Sequence, residues 1–315
     1  MPSEAETLAN IAELRAEANE ARQLASTLTD VAGITDMLAY ASALEADARG
    51  WEEALRHDSK WGISYPEAVA VSDRDDTLLE GFNSHFEALL ANTPERVRAA
   101  KRIRYQVYCV EHPHEKADSL DGVETDEFDS HATQSLLVYR STNTAMGTVR
   151  LILPLADELE RSFPLQRFLD KDSLREFNHL PLHAMGEVSR FSISRQFRRM
   201  DDTSGSAEHM AVVRTSGLLM RLGLMQGLVR MSMEHGVTHW CAAVEPAFQR
   251  LFGAMAIRFH PISPLIEYHG QRQPCYGVIA DVLNTVRRER PAFWSVVTNG
   301  GSLINRTSTR TPLVH

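Results

Sequence analysis

The run MGEVSRFSIS, residues 185–194, decides the fold. Val188, Phe191 and Ile193 have the bulk of a buried strand, yet Glu187 and Arg190 sit among them. A charge taken into a core without a partner costs several kcal/mol, so both residues need a reason to be there. Residues three apart on a regular strand point to opposite faces. One extra residue between them, a bulge, would bring Glu187 and Arg190 to the same side. The run therefore reads as a core strand that carries chemistry.

Working outward, HATQSLLVYRS (131–141) alternates like a strand, Asn143 and Thr144 make a turn, and MGTVRLILPL (146–155) is a second strand, which predicts a hairpin over 131–155. Upstream, RVRAAKRIRYQVYCVE (96–111) starts as a helix and runs into an aromatic stretch. Downstream, residues 209–236 read as a long helix, apolar on most faces and stopped by Gly236. VTHWCAAVEP follows as a strand, AFQRLFGAMAI as a helix and YGVIADV as a late strand. A hairpin followed by alternating strands and helices implies an α/β (α+β) fold with a mixed sheet covered by helices.

Ahead of this lies a different region. Ile11, Leu14, Ala18, Ala21, Ala25 and Leu28 recur in steps of four and three, one helical stripe, and residues 35–56 form a candidate second helix. A helical hairpin docked on its own domain is the plain reading; a homodimer through these helices is the alternative. Residues 58–76 have a linker's Gly, Pro and Ser content. The expected organisation is an N-terminal helical extension and linker at 1–75, the main domain at 76–298 and a loose tail at 299–315.

The main domain carries charge where a core is expected. Arg104 precedes Tyr108, Asp126 and Asp129 lie in ETDEFD, and Arg150 stands between Val149 and Leu151 on an apolar strand. With Glu187 and Arg190 these make a candidate buried network, in which Arg104, Arg150 and Arg190 meet Asp126, Asp129 and Glu187.

The ordered set RYQVY, ETDEFD, GTVRL and GEVSRF resembles the autoinducer (acyl-homoserine-lactone) synthases and the long-chain N-acyl amino acid synthases. It looks closest to the acyltransferases associated with PEP-CTERM/exosortase systems, which share an opening like RYQVYCVE and a block like EVSRFSIS. The resemblance covers about residues 95–285 and implies a GNAT-like acyltransferase fold. It implies that Glu187 draws the proton from an attacking amine, with Arg190 and Ser189 beside it as catalytic residues. Arg104, Tyr108, Asp126, Asp129, Arg150, Phe191 and Ser192 would then shape the substrate side. The lactone synthases carry a tryptophan six residues past the first aromatic; here that position is His114. The departure favours an amino acid or similar amine over S-adenosylmethionine as acceptor.

Acetyl-CoA users of this fold carry a glycine-rich loop after the catalytic strand that cradles pyrophosphate. The corresponding RQFRRMDDTSGSAEHM has a single glycine, Gly205, and two aspartates. It also has Arg195, Arg198 and Arg199, a patch suited to the phosphodiester and acidic helix of an acyl carrier protein. Acyl-ACP, or alternatively acyl-CoA, is thus the expected donor, with no tightly bound cofactor. The methionines at 210, 220, 225, 231 and 233 suit either core packing or a long acyl chain.

Composition narrows the field further. A net charge of -9 and no basic stretch argue against nucleic acid. No run reaches the roughly 18 apolar residues of a membrane span, and the acidic start does not resemble a signal peptide. Three widely spaced cysteines fit reduced thiols in a cytoplasmic protein. EHPHE (111–115) invites a metal guess, but no third distant ligand is apparent, so no metal is expected. The competing readings are a lactone-type signal synthase, an acyl-CoA-dependent N-acetyltransferase, and a GNAT-like module that only binds.

Overall fold

The computed structural model describes residues 74–111, 121–194 and 207–304 apart from 269, with a few isolated positions before residue 46. The chain divides into two compact units, Met1–Ala70 and Val71–His315. In the first, the described positions are helical, and Arg22 pairs with Glu45. The second holds the sheet. The expected linker up to residue 73, His114 and the arginines at 195, 198 and 199 lie outside the described residues, and residues 74–76, read from sequence as linker, open the first helix of the second unit.

In the second unit, α1 (Arg74–His85) leads into β1 (Phe86–Leu90) and α2 (Pro94–Tyr105). Thr93 caps α2 and Pro94 opens it, a favourable start because proline's missing N–H would be unpaired there anyway. The helix ends in a π-helical turn, Gln106–Glu111. The hairpin strands β2 (Ala132–Tyr139) and β3 (Thr144–Ile152) follow, then α3 (Lys171–Asn178) and β4 (Met185–Ile193). After them come α4 (Ala207–His235), β5 (His239–Val244), α5 (Pro246–Ala254), the short β6 (His260–Pro261) and β7 (Ile266–Glu267), β8 (Gln271–Val278), α6 (Ile279–Glu289) and α7 (Pro291–Thr298). The late strand ends at Val278: Ile279 to Val282, read from sequence as strand, open α6. Residues 299–304, assigned to the tail, remain packed, with Leu303 buried.

The sheet runs in the order β1-β2-β3-β4-β5-β8-β6, antiparallel except for β4 beside β5. Alternation divides its side chains. Leu137, Val149 and Leu151 join the main core with Phe82, Leu222, Met225, Leu228 and Trp240. Leu136 and Val138 pack instead with Ala100, Ile103 and Val107 of the α2 region. Arg150, between Val149 and Leu151, accordingly faces away from α4, toward α2 and the 124–131 segment.

Two features of β4 make the site. First, Thr148 and Arg150 of β3 pair with Ser192 and Ser189, so two steps on β3 match three on β4. The expected bulge is present, though its extra residue lies between Ser189 and Ser192, later than the anticipated interval. Arg190 occupies it with φ 51°. Second, β4 pairs with β5 only from Met185–His239 to Glu187–Cys241, although both strands continue. Beyond Glu187 they part and leave a cleft.

Close approach of α4 to the sheet holds this geometry in place. A methyl on Gly223 would lie 2.6 Å from Phe82 and Leu137, and one on Gly227 would overlap Ser135. Gly227→Ala is therefore expected to destabilise the protein by about 1–3 kcal/mol, overpacking outweighing alanine's better helix propensity. Gly81→Ala in α1, where an added methyl meets nothing, should instead be neutral or stabilise by up to about 1 kcal/mol. Denaturant unfolding of both variants checks the contrast.

Candidate active site

The cleft between β4 and β5 has a volume of about 410 Å³ and two unlike walls. One is charged: Tyr108, Asp126, Arg150, Glu187, Ser189 and Arg190 line it. The other is aromatic and aliphatic, with Phe191, Phe248, Phe252 and Phe259 beside Met225 and Leu228. The rings of Phe191 and Phe248 are 5.4 Å apart and those of Phe248 and Phe252 4.7 Å, both edge-to-face, the arrangement aromatic quadrupoles favour.

Behind the charged wall stands a buried ion network. Arg104 is 0% exposed and Arg150 1%. Arg150 donates to both carboxylate oxygens of Asp126, at 2.6 and 2.8 Å, to Asp129 at 2.9 Å and to the Ser189 hydroxyl at 3.0 Å. Arg104 donates to Asp129 at 2.5 and 3.1 Å, to Gln134 at 3.2 Å and, through Nε, to Glu124. Arg190 donates to both oxygens of Glu124, at 3.3 and 2.9 Å, and to Asp126 at 3.4 Å, with its Cζ 5.1 Å from the centre of the Tyr108 ring. The turns supply the backbone for this arrangement. Asp126 caps a 3₁₀ turn, Glu127–His131, whose Asp129 carboxylate accepts the Asp126 N–H in return.

Glu124 is the residue that sequence reasoning missed, and Glu187 is where it went astray. Three guanidiniums meet three carboxylates, Glu124, Asp126 and Asp129. Glu187, expected inside that network, pairs with none of the three arginines. It is 5% exposed, and its Oε2 accepts the Leu165 N–H at 2.9 Å. The physical reason is position along the strand: Glu187 shares the face of Arg150 but stands opposite Ile152, one pair further on, beside the apolar cluster that includes Ile152, Leu165 and Cys241.

The two kinds of carboxyl have opposite acidities. Burial pushes Glu124 up, but hydrogen bonds from Arg190 and Arg104 outweigh it and hold the group at about 2. Asp129 is likewise held well below the usual range, burial being outweighed by Arg104 and Arg150. At Glu187 burial wins over the Leu165 N–H and the Arg150 and Arg190 charges, raising the carboxyl to about 7. A carboxyl near neutrality can take or give a proton at physiological pH.

The other expected site residues fall into place around this. Tyr108, Asp126, Arg150, Ser189, Arg190 and Phe191 line the cleft; Arg104 and Ser192 are buried and Asp129 half-buried, and none of these three lines it. Ser192 donates its hydroxyl to the Arg190 carbonyl at 3.0 Å, supporting the bulge. Of the methionines, Met225 lines the cleft, whereas Met220 and Met231 are core. Cys109, Cys241 and Cys275 are buried, and burial pushes the thiol of the last up to about 12. Among the described residues no group of three or more potential ligands could hold a metal, and no helix is long and apolar enough to cross a membrane.

Residues 103–205 match the family described as Acetyltransferase (GNAT) domain. That match is confined to this stretch and supports an acyltransferase of the GNAT type. Similar solved structures include TofI in a ternary complex with an inhibitor and MTA (16% identity, 65% of this chain and 99% of that one, TM-score 0.45). Others are FeeM, an N-acyl amino acid synthase from uncultured soil microbes (16%, 64% and 95%, 0.41), and BjaI, a CoA-dependent acyl-homoserine lactone synthase, with MTA (15%, 69% and 89%, 0.43). No curated protein sequence matches significantly.

Removing one member of the network leaves its partners charged and dry, so Arg104→Met should cost about 3–5 kcal/mol in denaturant unfolding. The depressed acidities of Glu124 and Asp129 add a pH signature. Their contribution to stability is complete above about pH 5 and is lost as pH falls through the depressed values. Urea unfolding of the wild type from pH 6 downward should show that decline, and Arg104→Met should show less of it.

Proposed function

We propose that this chain is an N-acyltransferase that moves a long-chain acyl group from acyl carrier protein, or CoA, to the amine of an amino acid or similar acceptor. One observation carries the reading: Glu187, with its carboxyl raised to about 7, stands where β4 and β5 separate, between a charged wall and an aromatic one. A polar acceptor and an apolar chain both have a place in such a cleft, and they would meet beside a base.

The chemistry follows from the parts. The acceptor nitrogen attacks the thioester carbonyl carbon, a C–N bond forms and the C–S bond breaks. The ammonium proton passes to the Glu187 carboxylate; the sulfur leaves as thiolate and takes a proton from solvent. Charge that develops on the carbonyl oxygen would be met by the backbone of the Val188–Phe191 edge, which lines the cleft, an arrangement typically worth about 2.7–4 kcal/mol per donor. The Arg150–Asp126 and Arg190–Glu124 pairs would present fixed charges to the acceptor. The aromatic wall would hold the acyl chain. For the donor, the poverty of glycine at 195–210 and the arginines at 195, 198 and 199 favour a carrier protein over CoA.

Organic extracts of cells overproducing the chain, compared by mass spectrometry with empty-vector cells, should contain N-acyl amino acids. Acyl lactones would support the signal-synthase alternative, short acetylated amines the acetyltransferase, and no new lipid would count against turnover.

With the purified protein, kcat/KM should climb as pH rises to about 7 and level off above, because the base acts as its carboxylate. Glu187→Gln should lose about 10²–10⁴ in rate and with it that inflection. Stability moves the other way. A carboxyl raised from 4.5 to about 7 favours the fold below the lower value and loses that benefit as pH passes 7. Glu187→Gln should therefore be more stable than wild type above pH 7, by up to about 3 kcal/mol at pH 9, as thermal unfolding across pH will register.

A further inference from the structure

Arg190 is a charged residue in a backbone conformation that charged residues avoid. Among the described residues, four non-glycine positions have positive φ: Asn143, Arg190, Ala256 and Asn299. Asn143 lies in the β2–β3 turn and Asn299 caps α7, where the short amide side chain tolerates the left-handed region. Ala256 follows the end of α5. Arg190 alone of the four lies within a strand. Such a conformation persists only where the surroundings over-determine it, and the bulge by itself would be better served by glycine.

We infer that Glu124 is a positioning residue for acyl transfer: its carboxylate grips the Arg190 guanidinium and so holds the β4 bulge in the shape that meets the reacting carbonyl. The inference rests on the acyl-transfer reading above. Glu124 takes both ends of the Arg190 fork, at 3.3 and 2.9 Å, the two-pronged geometry that fixes orientation as well as distance. It is itself fixed from behind. Arg104 Nε donates to the same Oε2, Arg104 is locked in turn by Asp129, and the Glu124 N–H is held by the Lys101 carbonyl at 3.1 Å. The clamp runs from α2 to the bulge and meets the cleft only at Arg190: Glu124 is buried and does not line it. Tyr108 closes the other side of the guanidinium. Glu124 thus acts on the reaction through the backbone of Arg190, and the carbonyl of that residue, accepting from Ser192, completes the brace.

Glycine adopts the required φ freely, which gives the test its edge. Arg190→Gly, Arg190→Ala, Glu124→Gln and the double variant Glu124→Gln/Arg190→Gly would be assayed as full chains. The probes are palmitoyl-acyl carrier protein and palmitoyl-CoA with a mixture of the twenty amino acids. We expect Glu124→Gln to lower kcat by about 10²-fold with the acceptor KM nearly unchanged, the mark of misplaced catalytic groups. Arg190→Gly should turn over about tenfold faster than Arg190→Ala, because only alanine strains against the left-handed backbone. In the glycine background Glu124→Gln should cost no more.

Equal turnover of the glycine and alanine variants, or an undiminished Glu124→Gln loss beside Gly at 190, overturns the inference. So does a raised acceptor KM with kcat intact. If Glu124→Gln fails to fold, the two Arg190 variants still decide. If the wild type forms no N-acyl product, the acyl-transfer reading fails on its own account, and amide hydrogen exchange then judges the clamp. Faster exchange confined to 188–193 in Glu124→Gln supports it; unchanged exchange overturns it.

Discussion

An arginine moved from water into a protein interior must bring its counter-charge with it, and this chain sets three of them side by side, two buried and the third half-buried at the cleft. Arg104, Arg150 and Arg190 share Glu124, Asp126 and Asp129 through a continuous set of hydrogen-bonded ion pairs. Networks of this kind seldom add net stability over an apolar core of similar volume. What this one does is fix positions: it ties α2, the 124–131 segment, β3 and β4 to a single arrangement, because any slip would leave a charge alone. The balance also matters for what it excludes. With the arginines satisfied by three other carboxylates, Glu187 is left without an ion pair in apolar surroundings, and its carboxyl rises to about 7.

The sheet supplies the opening for that group. β4 and β5 are parallel for only three residue pairs and then diverge, so the strand that carries Glu187 has one edge on a cleft. The bulge adds a residue on the same stretch, and the chain there changes from charged wall to aromatic wall within two residues, Arg190 and Phe191. A base, an apolar groove and an exposed strand backbone come together because of where pairing stops.

Much of this was legible in the sequence, for identifiable reasons. The hairpin announced itself by period-two alternation, α4 by its length and Gly236, whose φ of 67° ends the helix, and β4 by its apolar residues around two charges. The spacing of Glu187 and Arg190 suggests a bulge on β4 but sets it earlier than the register does. β1 was not recognised: FEALL (86–90) has as much helical as strand character, and its identity comes from pairing with β2. Glu124 was passed over although it opens the ETDEFD motif. Acidic residues at 124, 126 and 129 on irregular chain have no period that says which one faces inward, and an eight-acid stretch against one lysine, 111–129, reads as solvated. Charge matching puts Glu187 among the arginines; the Leu165 N–H that donates to it belongs to a 3₁₀ turn 22 residues away, beyond the reach of any local pattern.

The chemistry of the site turns on the protonation of one buried carboxyl, which can be observed without turnover. Protein labelled with ¹³C at the glutamate carboxyl carbons, titrated by NMR and compared with Glu187→Gln, isolates the Glu187 signal. A midpoint near 7 is the expected result; a midpoint at the ordinary glutamate value of about 4.5 would contradict the separation of Glu187 from the arginine network on which the site's chemistry depends.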